Sequence, residues 1–321
     1  MRHIAVLKPC TVQEQAFLRA AADTEDILLY FESEEVLLSS KYADKIDIIF
    51  GEPSIETVLS LPSLRWIQMT WAGANKYTSI ESFPAHITLT SASGAFGGVI
   101  SEHILAGILA LCKNLPTYRT QLQNGQWALL PGDCSLEDKR ALILGTGNIG
   151  SETAKKLKAF GIHTVGICRT GQNVSPCFDE LFTTDALDTQ LPLADLVIIA
   201  LPGTKETKHL LNRSRIGMLK PDAMLVNVGR GFIVDTEALT DALTLGKLRG
   251  AVLDVTDPEP LPADHPLRFF NHVILTPHVS GISWGENTRT RQRILDIFQE
   301  NLIRDKNGIP LKNVINFQLG Y

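Results

Sequence analysis

The sequence has no C-x-x-C pair: its five cysteines, Cys10, Cys112, Cys134, Cys168 and Cys177, are odd in number and scattered. Such spacing supplies neither a zinc site nor a dithiol redox centre, and it reads as reduced cytosolic thiols. Long hydrophobic runs are missing too. The longest, Ile104 to Cys112, falls far short of the ~20 residues that span a bilayer. Near the N-terminus the apolar run before Lys8 is too short for the core of a signal peptide. Positive charge is not in excess, since 30 Lys and Arg face 35 Asp and Glu for a net −5. No overall basic field exists to hold a polyanion such as a nucleic acid. Solenoid repeats, low-complexity tracts and charge blocks are also absent. The expectation is a soluble cytoplasmic protein with no nucleic-acid or membrane partner and no metal.

What is present is an ordinary globular composition, 44% apolar and 20% charged over 321 residues, a length that suggests about two domains. Short β-rich runs alternate with helical patterns: Ile4–Leu7, Ile27–Tyr30, Ile46–Phe50, Trp66–Met69 and Ile87–Thr90, then Ala141–Leu144, Thr164–Ile167, Leu196–Ala200, Met224–Val228, Ala251–Leu253 and Val273–Leu275. Alternation of this kind predicts parallel sheets. Several runs are apolar at nearly every position, as in strands covered by helices on both faces. The fold class is therefore α/β, with two doubly wound parallel-sheet domains.

The glycine-rich stretch Gly94-Ala-Phe-Gly-Gly98 permits a hinge. A helix is expected after it, opening at Ser101 with Glu102 near its positive end and running to about Asn114. His103 there could face the cleft. The division predicted is residues 1–100 with 281–321 for one domain and 101–280 for the other, the chain becoming helical from about Glu286 to Asp305 as it returns. The Leu105, Ile108, Leu109 and Cys112 stripe has helical spacing and reads first as core.

Ala141-Leu-Ile-Leu-Gly145-Thr-Gly147-Asn148-Ile149-Gly150 sets G-x-G-x-x-G directly after a strand and at the start of a helix carrying Ala154, Leu157 and Phe160, with Gly161 to end it. Gly145 allows the tight turn, Gly147 leaves room for a pyrophosphate, and Gly150 lets helix and strand pack closely. The helix N-terminus, with Asn148 and Ile149, offers N–H groups to phosphate. An acid that would bond the ribose 2′-hydroxyl is expected about 20 residues on, but Cys168-Arg169-Thr170 stands there. A guanidinium and a hydroxyl suit a 2′-phosphate, so NADP(H) is the expected cofactor, with NAD(H) possible.

Three later segments each place an ionisable residue just past a strand, beside Gly or Pro: Arg230 before Gly231, Glu259 before Pro260, and His278 after Pro277. Singly, each could be a salt-bridge partner, a loop acid or a structural histidine. Together they match the needs of 2-keto acid reduction. A planar guanidinium holds the carboxylate and polarises the ketone, and an imidazole, whose ordinary pKa is about 6.5, protonates the nascent alkoxide. A carboxylate on the far ring nitrogen orients that imidazole and favours its protonated form.

With Leu201-Pro-Gly-Thr-Lys-Glu-Thr207, Leu225-Val-Asn-Val228-Gly229-Arg230-Gly231, Asp254 with Glu259, and Thr276-Pro-His278-Val279 in this order, the chain resembles the D-isomer-specific 2-hydroxyacid dehydrogenases over nearly its whole length. The resemblance implies a Rossmann-type cofactor domain and a flavodoxin-like substrate domain, with Arg230, Glu259 and His278 as the catalytic set. It further implies a cofactor site lined by Leu201, Pro202, Thr207, Val228, Gly229 and Gly281, with Asp254 on the nicotinamide carboxamide. The substrate is met by Arg230, His278 and the backbone of Gly73 and Ala74. At that last turn the family often has G-A-G, whereas Trp71-Ala72-Gly73 stands here, so Trp71 either narrows the pocket or belongs to the core. The absent acid at Cys168 resembles the NADPH-dependent glyoxylate and hydroxypyruvate reductases. The alternatives are an NAD-dependent D-3-phosphoglycerate dehydrogenase, for which Lys76 is the nearby cation, and a non-catalytic dinucleotide-sensing corepressor. A homodimer is expected, as is common in the family.

Overall fold

The computed structural model describes residues 1–80, 82–130, 135–169, 176–282 and 288–321. Cys134 and Thr170 lie outside the described residues, as does Glu286 at the expected start of the last helix. The chain divides into two compact units, Met1–Ala95 with Ser283–Tyr321, and Phe96–Ile282. The first crossing thus falls inside the glycine-rich stretch.

In the first unit, β1 (His3–Val6), β2 (Ile27–Tyr30), β3 (Ile48–Phe50), β4 (Trp66–Gln68) and β5 (Thr88–Thr90) form one sheet in the order β2-β1-β3-β4-β5. Every pairing is parallel, the flavodoxin-like order. Helix Arg289–Lys306 belongs to this unit, and the Thr288 side chain accepts from the Arg291 N–H to cap it. Its Phe298 is fully buried, stacked on Phe50 with ring centroids 4.4 Å apart and tilted against Trp66 at 5.6 Å. Nearby, the Asn301 amide donates to Gln68 Oε1 at 2.9 Å. Phe298→Ala therefore opens a cavity at the centre of the sheet's packing and should cost about 3–5 kcal/mol. A denaturant midpoint equal to that of the wild type would contradict this packing account.

The second unit holds β6 (Arg140–Leu144), β7 (His163–Cys168), β8 (Glu180–Thr183), β9 (Leu196–Ile199), β10 (Met224–Asn227), β11 (Gly250–Leu253) and β12 (Val273–Leu275), ordered β12-β11-β10-β9-β6-β7-β8 and parallel throughout. Its strands alternate cleanly between two cores. Leu142, Leu144, Val197, Ile199 and Leu225 enter one, and Ala141, Ile143, Leu196, Ile198 and Val226 enter the other. Side chains two apart share a face of a strand, so burial on both faces produces the continuous apolar runs seen in the sequence.

Three local expectations are corrected. Strand β8 was not foreseen, because Glu180-Leu-Phe-Thr183 is an edge strand whose residues are only partly buried, so no apolar run marks it. The long helix opens at Gly97 and not at Ser101. Ser101 is fully buried within it, where its hydroxyl donates to the Gly98 carbonyl and accepts from Lys156 Nζ. Asn148 Oδ1 accepts the Gly97 N–H at 2.8 Å, so a side chain from another element caps this helix. Phe160 lies past the end of helix Asn148–Lys158 and is exposed, while Ala154 and Leu157 are buried. In the stripe, Leu105, Ile108 and Cys112 are buried and Leu109 is partly buried against the same core.

Candidate active site

The order in which the chain lays down the strands of the second sheet reverses between β6 and β9, and in open α/β sheets ligands bind outside the carboxyl ends of the strands at such a point. Gly145 and Leu201 follow those two strands. Gly145 holds φ +101°, and a Cβ there would lie 2.6 Å from the Ala200 carbonyl oxygen. A Cβ on Gly150 would lie 1.9 Å from the Gly145 oxygen. At Gly147, by contrast, a Cβ would meet nothing within 4 Å. Gly147 is also the N-cap of helix Asn148–Lys158, and no side chain caps that helix. Its first-turn N–H groups form the positive dipole end, with Lys155, Lys156 and Lys158 complementing the far end. These residues fit a pyrophosphate. Arg169 is exposed just past β7, the strand beside β6.

On the other side of the reversal, Leu201 leads into a tight turn. The Thr207 hydroxyl donates to the Pro202 carbonyl at 3.0 Å, and the Thr204 N–H donates to the Thr207 hydroxyl at 2.8 Å. After β10, Val228 is buried, and Gly229 packs so closely that a Cβ would stand 2.7 Å from the Leu201 oxygen. Asn227 braces the next residues, its Oδ1 accepting the Gly229 N–H at 3.0 Å and its Nδ2 donating to the Arg230 carbonyl at 3.0 Å. Only glycine fits at 231, where a Cβ would meet the Thr256 oxygen at 1.9 Å. The Arg230 guanidinium donates to the Gly229 carbonyl at 2.8 Å. Burial pulls its pKa down, with the Glu259 charge opposing, and an arginine so placed stays charged at any working pH.

Glu259 Oε1 lies 2.7 Å from His278 Nδ1, the two side chains being 41% and 49% exposed. An ion pair this open to solvent contributes about 0–1 kcal/mol to stability, so its worth lies in orienting the imidazole and leaving Nε2 available. His278 sits at φ +55°, a left-handed conformation uncommon outside glycine. Asp254 holds it there. The Asp254 carbonyl accepts the His278 N–H at 2.8 Å, and the carboxylate accepts the Val279 and Ser280 N–H groups at 2.8 and 3.0 Å and the Thr276 hydroxyl at 2.6 Å. Burial alone would raise the Asp254 pKa, but these donors outweigh it and hold the carboxyl below its ordinary range.

Sequence reasoning placed Asp254 on the nicotinamide. It missed the part this residue takes in shaping the turn that carries His278, and the two are 24 residues apart. It also left His103 unassigned. That side chain lies within helix Gly97–Cys112, its Nε2 3.2 Å from Thr276 Oγ1. Gly281 follows the same turn, and a Cβ on it would touch the Phe96 ring at 3.5 Å. Gly73 and Ala74 belong to the first unit, just before helix Asn75–Thr78. Trp71, 53% exposed, is not core.

The model for "D-isomer specific 2-hydroxyacid dehydrogenase, NAD binding domain" matches residues 105–280. A glyoxylate reductase of Thermofilum pendens is 33% identical over 286 residues, covering 87% of this chain and 80% of the relative. The chain belongs to the D-isomer specific 2-hydroxyacid dehydrogenase family. A solved family member from Aeromonas salmonicida superposes with a TM-score of 0.86 at 34% identity, covering 98% of this chain and 99% of that one. A D-3-phosphoglycerate dehydrogenase of Methanocaldococcus jannaschii is 29% identical over 88% of this chain but only 53% of its own length. The protein is thus a D-2-hydroxyacid dehydrogenase that uses a nicotinamide dinucleotide and acts on small 2-hydroxy acids. Among the described residues, no single helix is long and apolar enough to cross a membrane.

Proposed function

We propose that this dehydrogenase reduces glyoxylate or hydroxypyruvate to the D-2-hydroxy acid with NADPH. The contact of Glu259 with His278 Nδ1, on the same sheet edge as Arg230, carries the reading of the chemistry. Bound reduced nicotinamide supplies a hydride to the keto carbon. Arg230 clamps the carboxylate and polarises the ketone, drawing electron density onto its oxygen. His278 releases its Nε2 proton to that oxygen as the alkoxide develops, while the Glu259 carboxylate against Nδ1 orients the ring.

Arg169 supports NADPH over NADH, since a guanidinium following Cys168 replaces the expected acid. Arg169→Ala is expected to weaken NADPH binding about 10- to 100-fold, the worth of a charge-assisted hydrogen bond, and to leave NADH binding unchanged. Fluorescence titration of both cofactors checks this, and equal loss for both would contradict it. Similarity to a phosphoglycerate dehydrogenase favours a second reading, in which NADH and a phosphorylated keto acid are the better pair. Assaying both cofactors against glyoxylate, hydroxypyruvate and 3-phosphohydroxypyruvate decides between the two. A homodimer is supported by the exposed apolar side chains of Leu115, Leu122, Trp127 and Leu129, too many in one short segment to be left in water without cost.

A further inference from the structure

Thr276 has a single hydroxyl proton, and two groups compete for it. Asp254 Oδ1 stands 2.6 Å away and His103 Nε2 3.2 Å away. The buried carboxylate is ionised and can only accept, so the proton goes to Asp254. The contact with His103 is then a hydrogen bond only if Nε2 carries a proton and donates to Thr276 Oγ1. That orders a relay across the unit: His103 donates to Thr276, Thr276 donates to Asp254, and Asp254 gathers the N–H groups of Val279 and Ser280. The residue immediately before those two is His278, in its left-handed conformation. Thr276 itself accepts the His278 N–H through its carbonyl at 3.0 Å.

We infer that His103 is a positioning residue for His278: its Nε2–H donates to the Thr276 oxygen, anchors the side chain whose own proton goes to Asp254, and so fixes the turn that presents the catalytic imidazole. The inference rests on the reading of His278 as the proton donor. Without the His103 donor, the Thr276 oxygen loses the contact that ties it to helix Gly97–Cys112, the Thr276 side chain is held by Asp254 alone, and the turn gains room to move. Hydrogen-bonding partners that orient a functional side chain, as around metal-ligating histidines, are worth about 10- to 100-fold in activity, and the same order is expected here.

The test compares His103→Leu, His103→Gln and His103→Asn in the full chain, with NADPH and glyoxylate. Glutamine places an N–H donor the same number of bonds from the backbone as Nε2, whereas asparagine is one bond short and leucine has no donor. The expected result is a fall in kcat of about tenfold or more for leucine and asparagine, little change in KM for the keto acid, which Arg230 governs, and recovery with glutamine. Equal activity in all three variants, or equal loss in all three with unchanged melting temperature, would overturn the proposal. Nitrogen chemical shifts of the His103 ring give a second readout independent of turnover, and an unprotonated Nε2 above neutral pH also overturns it. A wild-type chain that turns over no 2-keto acid sinks the reading of His278 instead, and the ring shifts then decide the positioning claim alone.

Discussion

His278→Gln is expected to lower kcat for keto-acid reduction by about 10²- to 10⁴-fold, the usual worth of a positioned proton donor, while NADPH still binds. Glutamine can hydrogen-bond a ketone but cannot hand over a proton, so the alkoxide would have to be quenched by water. The Gly145–Gly150 turn, whose residues fit a pyrophosphate, belongs to a different strand end and does not depend on His278, which is why cofactor affinity should survive. Glu259→Gln should show a milder loss of the same kind, since it keeps a partner for Nδ1 but removes the charge that favours imidazolium. Steady-state rates alongside NADPH fluorescence titration test both. Full activity in His278→Gln would move the proton donor elsewhere. A wild-type protein that binds NADPH without any turnover would revive the reading as a dinucleotide sensor.

Asp254→Asn is expected to be the most damaging substitution of a residue that need not touch the keto acid. The carboxylate accepts from the Ser280 and Thr276 hydroxyls and from the Val279 and Ser280 N–H groups. An amide offers one acceptor atom and turns its NH₂ toward groups that are themselves donors. Each buried donor left unpaired costs about 1–3 kcal/mol, so a loss near 3 kcal/mol is expected, with kcat lower by about 10- to 100-fold as the His278 turn loosens. Acidity supplies a further check. The folded Asp254 pKa lies below its ordinary value, so its contribution to stability is fully present above the unfolded value of about 3.9 and disappears as pH falls through the folded one. The stability gap between wild type and Asp254→Asn should therefore be widest near neutrality and narrow on acidification. Denaturant midpoints at several pH values measure it, and a gap that widens in acid would contradict the assignment.

Among the described residues, eleven of the twelve strands were legible because parallel strands buried on both faces are written as short apolar runs between turn residues. The exception, Glu180–Thr183, sits at the sheet edge, where burial is partial and the pattern fades. The glycines of the phosphate-binding turn were legible for a related reason. Positive φ at Gly145 and the 1.9 Å approach at Gly150 are conditions that only glycine meets, so the residue type itself reports the geometry. Arg230, Glu259 and His278 could be picked out by type and by the strand ends they follow.

The sequence by itself determined the two parallel sheets, the dinucleotide turn and the residue types of the site, because each depends on contacts among near neighbours in the chain or on the conformational range of one residue. Tertiary structure alone decided two things: the cap on the helix at Gly97, supplied by Asn148, and the relay from His103 through Thr276 to Asp254. Each joins residues tens to more than a hundred positions apart. A hydrogen bond between them requires two strand ends, or a helix and a strand end, to meet within about 3 Å. That meeting is fixed by the order of strands in the sheet, which no local pattern of side chains encodes.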